Sequence, residues 1–257
     1  MSNNPVITSR DNPLVKELKK LAQDNTAYRK QGRFWVEGDH LIRAARTRGV
    51  TPELLVLSES FDPAAHPAID LSATKNIAVG HKVFQEISGL ASPATLGAVF
   101  ALPTVAMQAN VNTVVLDRVQ DAGNVGSILR SAAGFGFKQV LAIKGTAALW
   151  SPKVLRAGMG AHFGLSLLEG LDEVDLQGLN LPMLVTSSHQ GEFIHRQTLP
   201  NPCAWVMGHE GQGVSSGLMA RATQFVRIAQ PGGEESLNVA AAAAICLHAS
   251  ATLKAAP

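Results

Sequence analysis

Residues 113–130 read TVVLDRVQDAGNVGSILR, and their order decides the fold of the chain's second half. Thr113–Leu116 is a short apolar, β-branched run, as expected of a buried strand. A glycine-containing turn follows, and from Asn124 to Ala133 the pattern is helical. A strand that passes through a turn into a helix opens a parallel α/β unit, whose ligands lie at the carboxyl ends of the strands. Asn124 stands where an N-cap belongs, Gly126 permits close backbone approach, and Arg130 offers a planar donor fork suited to phosphate.

The same alternation continues downstream. Gln139–Ile143, Met183–Thr186, Ala204–Met207 and Phe225–Ile228 are predicted strands, and Glu235–Lys254 a closing helix whose Ala-rich stretch from Asn238 reads as buried. Such an order predicts a mostly parallel sheet covered on both faces. Upstream, Asn12–Gln23 carries Leu14, Val15, Leu18, Leu21 and Ala22 at amphipathic helical spacing. Strands over Phe34–Glu37, Leu54–Leu57, Ile77–Val79 and Gly97–Leu102 follow, with a helix over Asp39–Arg48 capped by Asp39 and another near Val83–Ile87. The run ALPTVAMQANVN (101–112) lacks periodicity and contains Pro103, so the linker falls there. The expected organisation is a small α/β domain over 1–104 and a second α/β domain over 105–257.

Composition sets the class. Of 257 residues 46% are hydrophobic and 16% charged, enough apolar surface for packed cores. Residues 1–50 hold ten Lys and Arg against five acids, which leaves +5 there and −3 for the rest of a chain of net charge +2. That imbalance suits either a polyanionic partner or a solvated helix face. Cys203 and Cys246 stand apart with no metal or disulfide spacing, and MSNNPVITSR has no apolar signal core, so reduced thiols in the cytoplasm are expected. No phosphate-loop, nucleophile-elbow or HExxH motif occurs, and His162, His189, His195 and His209 lack metal-ligand spacing, so no metal is expected. Gly158, Gly160 and Gly164 have the wrong spacing for a dinucleotide loop, and the preceding PKVLRA reads as helix.

Two further loops carry chemistry. MGHEGQGVS (207–215) follows a strand and packs Gly208, Gly211 and Gly213 around Glu210, its one fixed charge. IAQPGGEESLN (228–238) passes through a Pro-Gly-Gly turn to Ser236 and Asn238, placed at the first turn of the last helix. Each loop alone has an ordinary explanation. A parallel sheet would bring all three to one edge.

Together, NVGSILRSAAGFG, VMGHEGQGV and ESLNVAAAAAICL resemble, in order, the three motifs of the SpoU branch of the SPOUT class of RNA ribose methyltransferases. SPKVLRAGMGAHF also resembles a stretch between the first and second motifs, and VITSRDNPLVKELKKL with FWVEGDHLI resembles the family's ribosomal-protein-like substrate-binding domain. The resemblance implies a SPOUT α/β domain with a deep trefoil knot, a homodimer, and transfer of a methyl group from S-adenosylmethionine to a ribose 2′-hydroxyl of structured RNA, rRNA ahead of tRNA. It implies an active centre of Asn124, Arg130, Glu210, Ser236 and Asn238. Cofactor contacts would come from Gly208, Glu210, Gly211, Gly213, Ile228, Gln230, Leu237 and Asn238. Arg10, Lys16, Lys19, Lys20, Arg29, Arg33 and Arg130 are the candidate RNA contacts. Arg130 would serve as proton acceptor or as stabiliser of phosphate and alkoxide; a guanidinium with a pKa above about 12 favours the second. The chain departs from the family at His209, where Asn is commoner, at Gln230, where an apolar residue is frequent, and at Gly158, which replaces a frequent Ser. A base-directed methyltransferase is disfavoured by the Ser-Leu-Asn trio, and a non-catalytic RNA-binding or ribosome-assembly protein by the intact motif side chains.

Overall fold

The computed structural model describes residues 5–72, 74–187, 189–232 and 236–252. They gather into two compact units, one of Met1–Thr104 with Trp150–Phe163, the other of Val105–Leu149 with Gly164–Pro257.

In the first unit, α1 (Pro13–Gln23) starts where Asn12 accepts a hydrogen bond from the Leu14 amide at 2.9 Å and Pro13 supplies a preset φ. A five-residue helix α2 (Ala27–Gln31), too short to show a period, ends at Gly32 with φ +62°. Strand β1 (Arg33–Glu37) follows, then α3 (Asp39–Thr47). Its N-cap is Gly38 rather than the expected Asp39. The backbone leaves β1 at φ +91°, a conformation that suits glycine, and Asp39 becomes the first helical residue, its carboxylate 3.3 Å from Arg43 Nε. Strands β2 (Leu54–Ser58) and β3 (Asn76–Val79), helix α4 (His81–Ser88) and strand β4 (Leu96–Ala101) complete a sheet of order β1-β4-β2-β3 in which only β2 and β3 run parallel. Val15, Leu18 and Leu21 of α1 share a core with Val83, Phe84 and Ile87 of α4 and with Trp35.

The Trp35 ring lies over Gly97, where a Cβ would stand 2.1 Å from ring carbons. Gly97→Ala is therefore expected to destabilise by about 1–3 kcal/mol through overpacking. The check is a lower urea midpoint at unchanged m.

The second unit opens with β5 (Thr113–Leu116), α5 (Ala122–Gly134) and β6 (Gln139–Ile143). The segment PKVLRA is helical, as its sequence suggested, and this helix α6 (Pro152–Gly158) groups with the first unit, where Trp150 and Phe163 pack on Phe34 and His162 lies buried against Trp150. Strands β7 (Ser166–Leu171), β8 (Met183–Thr186), β9 (Glu192–Phe193) and β10 (Ala204–Met207), helix α7 (Ser216–Ala220), strand β11 (Gln224–Arg227) and helix α8 (Val239–Thr252) follow. The sheet order is β7-β6-β5-β10-β8-β11-β9, with every registered pair parallel. Burial on both faces explains the unbroken apolar strands: Val114, Val140, Val185 and Val206 have no exposed surface.

Trp205 of β10 donates its indole N–H to Ser250 Oγ of α8 at 2.8 Å. The ends expected for that helix, Glu235 and Lys254, lie outside the described residues. The expectation that it is buried holds for one face only. Ala243, Cys246, Leu247 and Ser250 are buried while Ile245 is 39% exposed, because an almost uniformly apolar Ala-rich run carries no period to mark its outer side.

Candidate active site

Strands β5 and β10 are neighbours, and the chain leaves them in opposite directions, toward β6 and toward β11. This divergence opens a crevice at their carboxyl ends. Asp121, not Asn124, caps α5: its Oδ1 accepts from the Asn124 amide at 2.7 Å, and the helix begins at Ala122. The expected cap is thus corrected by three residues, which leaves the Asn124 side chain free for other work. Its Nδ2 donates to Glu210 Oε1 at 3.1 Å, and its Oδ1 accepts from Asn238 Nδ2 at 3.0 Å. Asn238 Oδ1 in turn accepts from the amides of Ala240 and Ala241, so Asn238 caps α8 from just before its first turn. One polarised chain of amides joins the three loops.

Glu210 also accepts from the backbone amides of Gln120 and Asp121, at 3.1 Å each. Partial burial opposes its charge, but those amides and the Asn124 donor prevail and bring its pKa down to about 2 from 4.5. A lowered folded-state pKa stabilises above the unfolded value and is lost as pH falls through the folded one. The stability difference between wild type and Glu210→Gln is expected to hold at neutral pH, shrink below about 4.5 and vanish near 2. Urea midpoints across pH measure it.

The 208–215 loop folds back on itself. His209 and Gly213 exchange backbone hydrogen bonds at 3.0 and 2.8 Å, and a Cβ on Gly208 would fall 2.4 Å from Gly213 C and Val214 N, so only glycine fits. His209 Nδ1 accepts from the amides of Gly211 at 2.9 Å and Gln212 at 3.1 Å. An asparagine Oδ1 does the same work in an Asx turn, which gives the histidine at this position a physical account.

Two residues the sequence did not single out hold this loop from beneath. The buried Asp117 carboxylate accepts from Ser215 N at 2.6 Å, 98 residues downstream, and from Arg118 Nε at 2.8 Å. Arg118, at φ +58°, donates to Gln212 Oε1 at 2.9 Å and toward Gly213 O at 3.4 Å. An Asp-Arg pair after a strand carries no local sign of such a distant partner.

A cavity of about 540 Å³ lies among these loops. It brings together Gly208, Glu210, Gly211, Gly213, Ile228, Gln230, Ser236, Leu237 and Asn238, all expected, with Thr186, Ser187 and His209 besides. Thr186 and Ser187, at the carboxyl end of β8, could have been found from the strand-end rule alone. Gln230 Oε1 is buried and has no hydrogen-bond partner among the described residues. Arg130 does not line the cavity. Six residues beyond Asn124 place it about 120° round the helix, on an exposed stripe with Gly123 and Ser127.

In the first unit Arg10, Lys16, Lys19, Lys20 and Arg29 are exposed. Lys16 pairs with Asp11 at 3.0 Å, Arg29 lies over the Tyr28 ring, and the half-buried Arg33 is engaged by Glu17. Among the described residues no three His, Cys, Asp or Glu come together as a metal site, and no helix is long and apolar enough to cross a membrane.

The SpoU rRNA Methylase family model matches residues 111–248, and a model of the MRM3-like substrate binding domain matches residues 12–98. The 23S rRNA (guanosine(2553)-2′-O)-methyltransferase RlmP of Bacillus subtilis (strain 168) is 28% identical over 249 residues, covering 94% of this chain and 97% of that protein. A structure from Porphyromonas gingivalis ascribed to the TrmH family of RNA methyltransferases is 31% identical, with a TM-score of 0.79 over 92% of this chain and 96% of that one. An AdoMet-bound rRNA methyltransferase from Sinorhizobium meliloti is 25% identical, with a TM-score of 0.81 over 96% and 97%.

Proposed function

Because the chain belongs to the SpoU rRNA methylase family, we propose that it transfers a methyl group from S-adenosylmethionine to a ribose 2′-hydroxyl of ribosomal RNA. The observation that carries this reading is the Asn124 carboxamide, which joins Glu210 to Asn238 and ties three loops around one cavity.

The cavity suits the cofactor. Its volume of about 540 Å³ falls in the range of roughly 300–1,000 Å³ usual for small-molecule sites. The unmatched Gln230 Oε1 offers a buried acceptor to an amine, and Gly208, Gly211 and Gly213 present backbone without side chains in the way. Gly208, Gly211, Gly213, Ile228, Gln230 and Leu237 would hold S-adenosylmethionine, with Glu210 and Asn238 bordering it. The cofactor supplies an electrophilic methyl group on a sulfonium.

The protein's own tasks are to align the hydroxyl and to relieve it of its proton. Asn124, Ser236 and Asn238 provide uncharged groups for the ribose. Glu210, ionised down to about pH 2, is too weak a base to take that proton and serves as the anchor of the loops. Arg130 is exposed and makes no ion pair among the described residues. It binds the neighbouring phosphate and stabilises the developing alkoxide, the proton leaving through phosphate or water.

The basic residues of the first unit, the exposed Arg10, Lys16, Lys19, Lys20 and Arg29 and the half-buried Arg33, supply phosphate contacts to the RNA. The reading includes a trefoil knot, supported by β10 lying between β5 and β8, both earlier in the chain, and by α8 returning to pack on α5. It includes a homodimer, supported by Leu237 and Ile245, each 39% exposed at α8. Ile245→Lys is then expected to run as a monomer in light scattering where wild type runs as a dimer. A cytoplasmic setting accords with Cys203 and Cys246 both being buried thiols.

Calorimetry with S-adenosylmethionine tests the cavity assignment. One site per chain is expected in wild type, and absence of binding contradicts the reading.

A further inference from the structure

One edge of the second unit's sheet carries a cluster that methyl transfer does not use. Strand β9 is the edge strand beside β11, with Phe193 opposite Arg227 in the register. The guanidinium carbon of Arg227 lies 4.5 Å from the centre of the Phe193 ring, and that of Arg196 5.6 Å. The His195 ring lies 5.7 Å from the same ring at an interplanar angle of 18°. His195 and Arg196 are exposed, Phe193 and Arg227 half-buried, and among the described residues neither arginine meets a carboxylate.

The cluster is built in place. Gly191, at φ +86°, presses so closely on β11 that a Cβ would fall 2.0 Å from Phe225 O. Gln197 Nε2 donates to Glu192 O at 2.8 Å, and Gln224 of β11 donates to Gln197 Oε1. Arg227 ends β11 and is followed by Ile228, which lines the cavity, while Ser187 of the cavity wall donates its amide to Val226 O at 3.0 Å. The cluster is therefore the next feature along the carboxyl edge of the sheet.

Its chemistry selects a ligand with both negative charge and flat rings. A guanidinium resting on an aromatic ring keeps its in-plane N–H donors for phosphate and its outer face for a base. A positive cluster of this kind runs against the net −3 of residues 51–257. An acidic peptide would answer the charge alone and leave the stacked faces unused.

We propose that Phe193, His195, Arg196 and Arg227 form a platform for the single-stranded RNA that flanks the methylated ribose, with bases stacking on the ring and guanidinium layer and phosphates on the arginines. The inference rests on the reading of the chain as an RNA methyltransferase.

The test measures binding of the full chain to fluorescent oligouridylate of about twelve nucleotides across a salt series. With Arg196→Gln and Arg227→Gln combined, affinity falls at low salt and the slope of log K against log salt becomes shallower by about 1.4, roughly 0.7 for each phosphate no longer neutralised. Phe193→Ala weakens binding about tenfold or more, while Phe193→Trp keeps it. S-adenosylmethionine affinity stays at the wild-type value in all three. An unchanged salt slope in the double variant overturns the platform, as does an equal loss of S-adenosylmethionine affinity, which would make Arg227 part of the cavity wall. If wild type transfers methyl to rRNA and the double variant keeps its KM for that RNA, the platform fails and the enzyme reading stands. If wild type transfers none, the enzyme reading fails and the salt slope alone decides the platform.

Discussion

Asn124→Ala lowers kcat/KM for methyl transfer by about a hundredfold or more, and Asn124→Asp does no better. Among the described residues the carboxamide is the single link between Glu210 and Asn238, donating to one at 3.1 Å and accepting from the other at 3.0 Å. A hydrogen bond to a charged group contributes about 1.5–3 kcal/mol, and here its loss releases two loops at once. Were Asn124 a helix cap, aspartate would serve as well as asparagine. Because Asp121 is the cap, aspartate at 124 only replaces the donor facing Glu210 with a second carboxylate. Steady-state assays of the two variants, with melting curves to show that α5 survives, separate these roles; an active Asn124→Asp enzyme would sink the bridging account.

Arg130→Ala is expected to cut kcat by about 10²–10³, the range seen when one stabiliser of developing charge is removed. S-adenosylmethionine affinity and stability should both stay at wild-type values, since Arg130 stands outside the cavity and holds no other side chain among the described residues. The pair of readouts matters. Loss of turnover with intact cofactor binding places Arg130 at the RNA and the reacting oxygen, whereas retained turnover contradicts the whole assignment of the first motif.

What the sequence displayed follows from where each signal lies. Strands β5, β6, β8 and β10 are buried on both faces, so their apolar runs stand out. Strand β7 is interrupted by Glu169 and Gly170 and β9 has two residues, too little for any pattern. The three site loops were legible because glycines and polar side chains cluster after strands. Their joining was not: Asp121 and Asn124 are both good caps, and the choice depends on where the helix starts, which local order leaves open by a few residues. Nor could Asp117 and Arg118 be read, since the loop they hold is distant in sequence and meets them only at the crevice between β5 and β10. The departure at His209, where Asn is commoner, is a substitution of one acceptor for another.

Incubation of the purified protein with methyl-labelled S-adenosylmethionine and ribosomal RNA, followed by nuclease digestion to nucleosides, reads the destination of the methyl group itself. Label is expected in a single 2′-O-methyl nucleoside, entering about 10²–10³-fold more slowly with Arg130→Ala. Label on a base, or no label from a wild-type protein that binds the cofactor, would contradict ribose methylation.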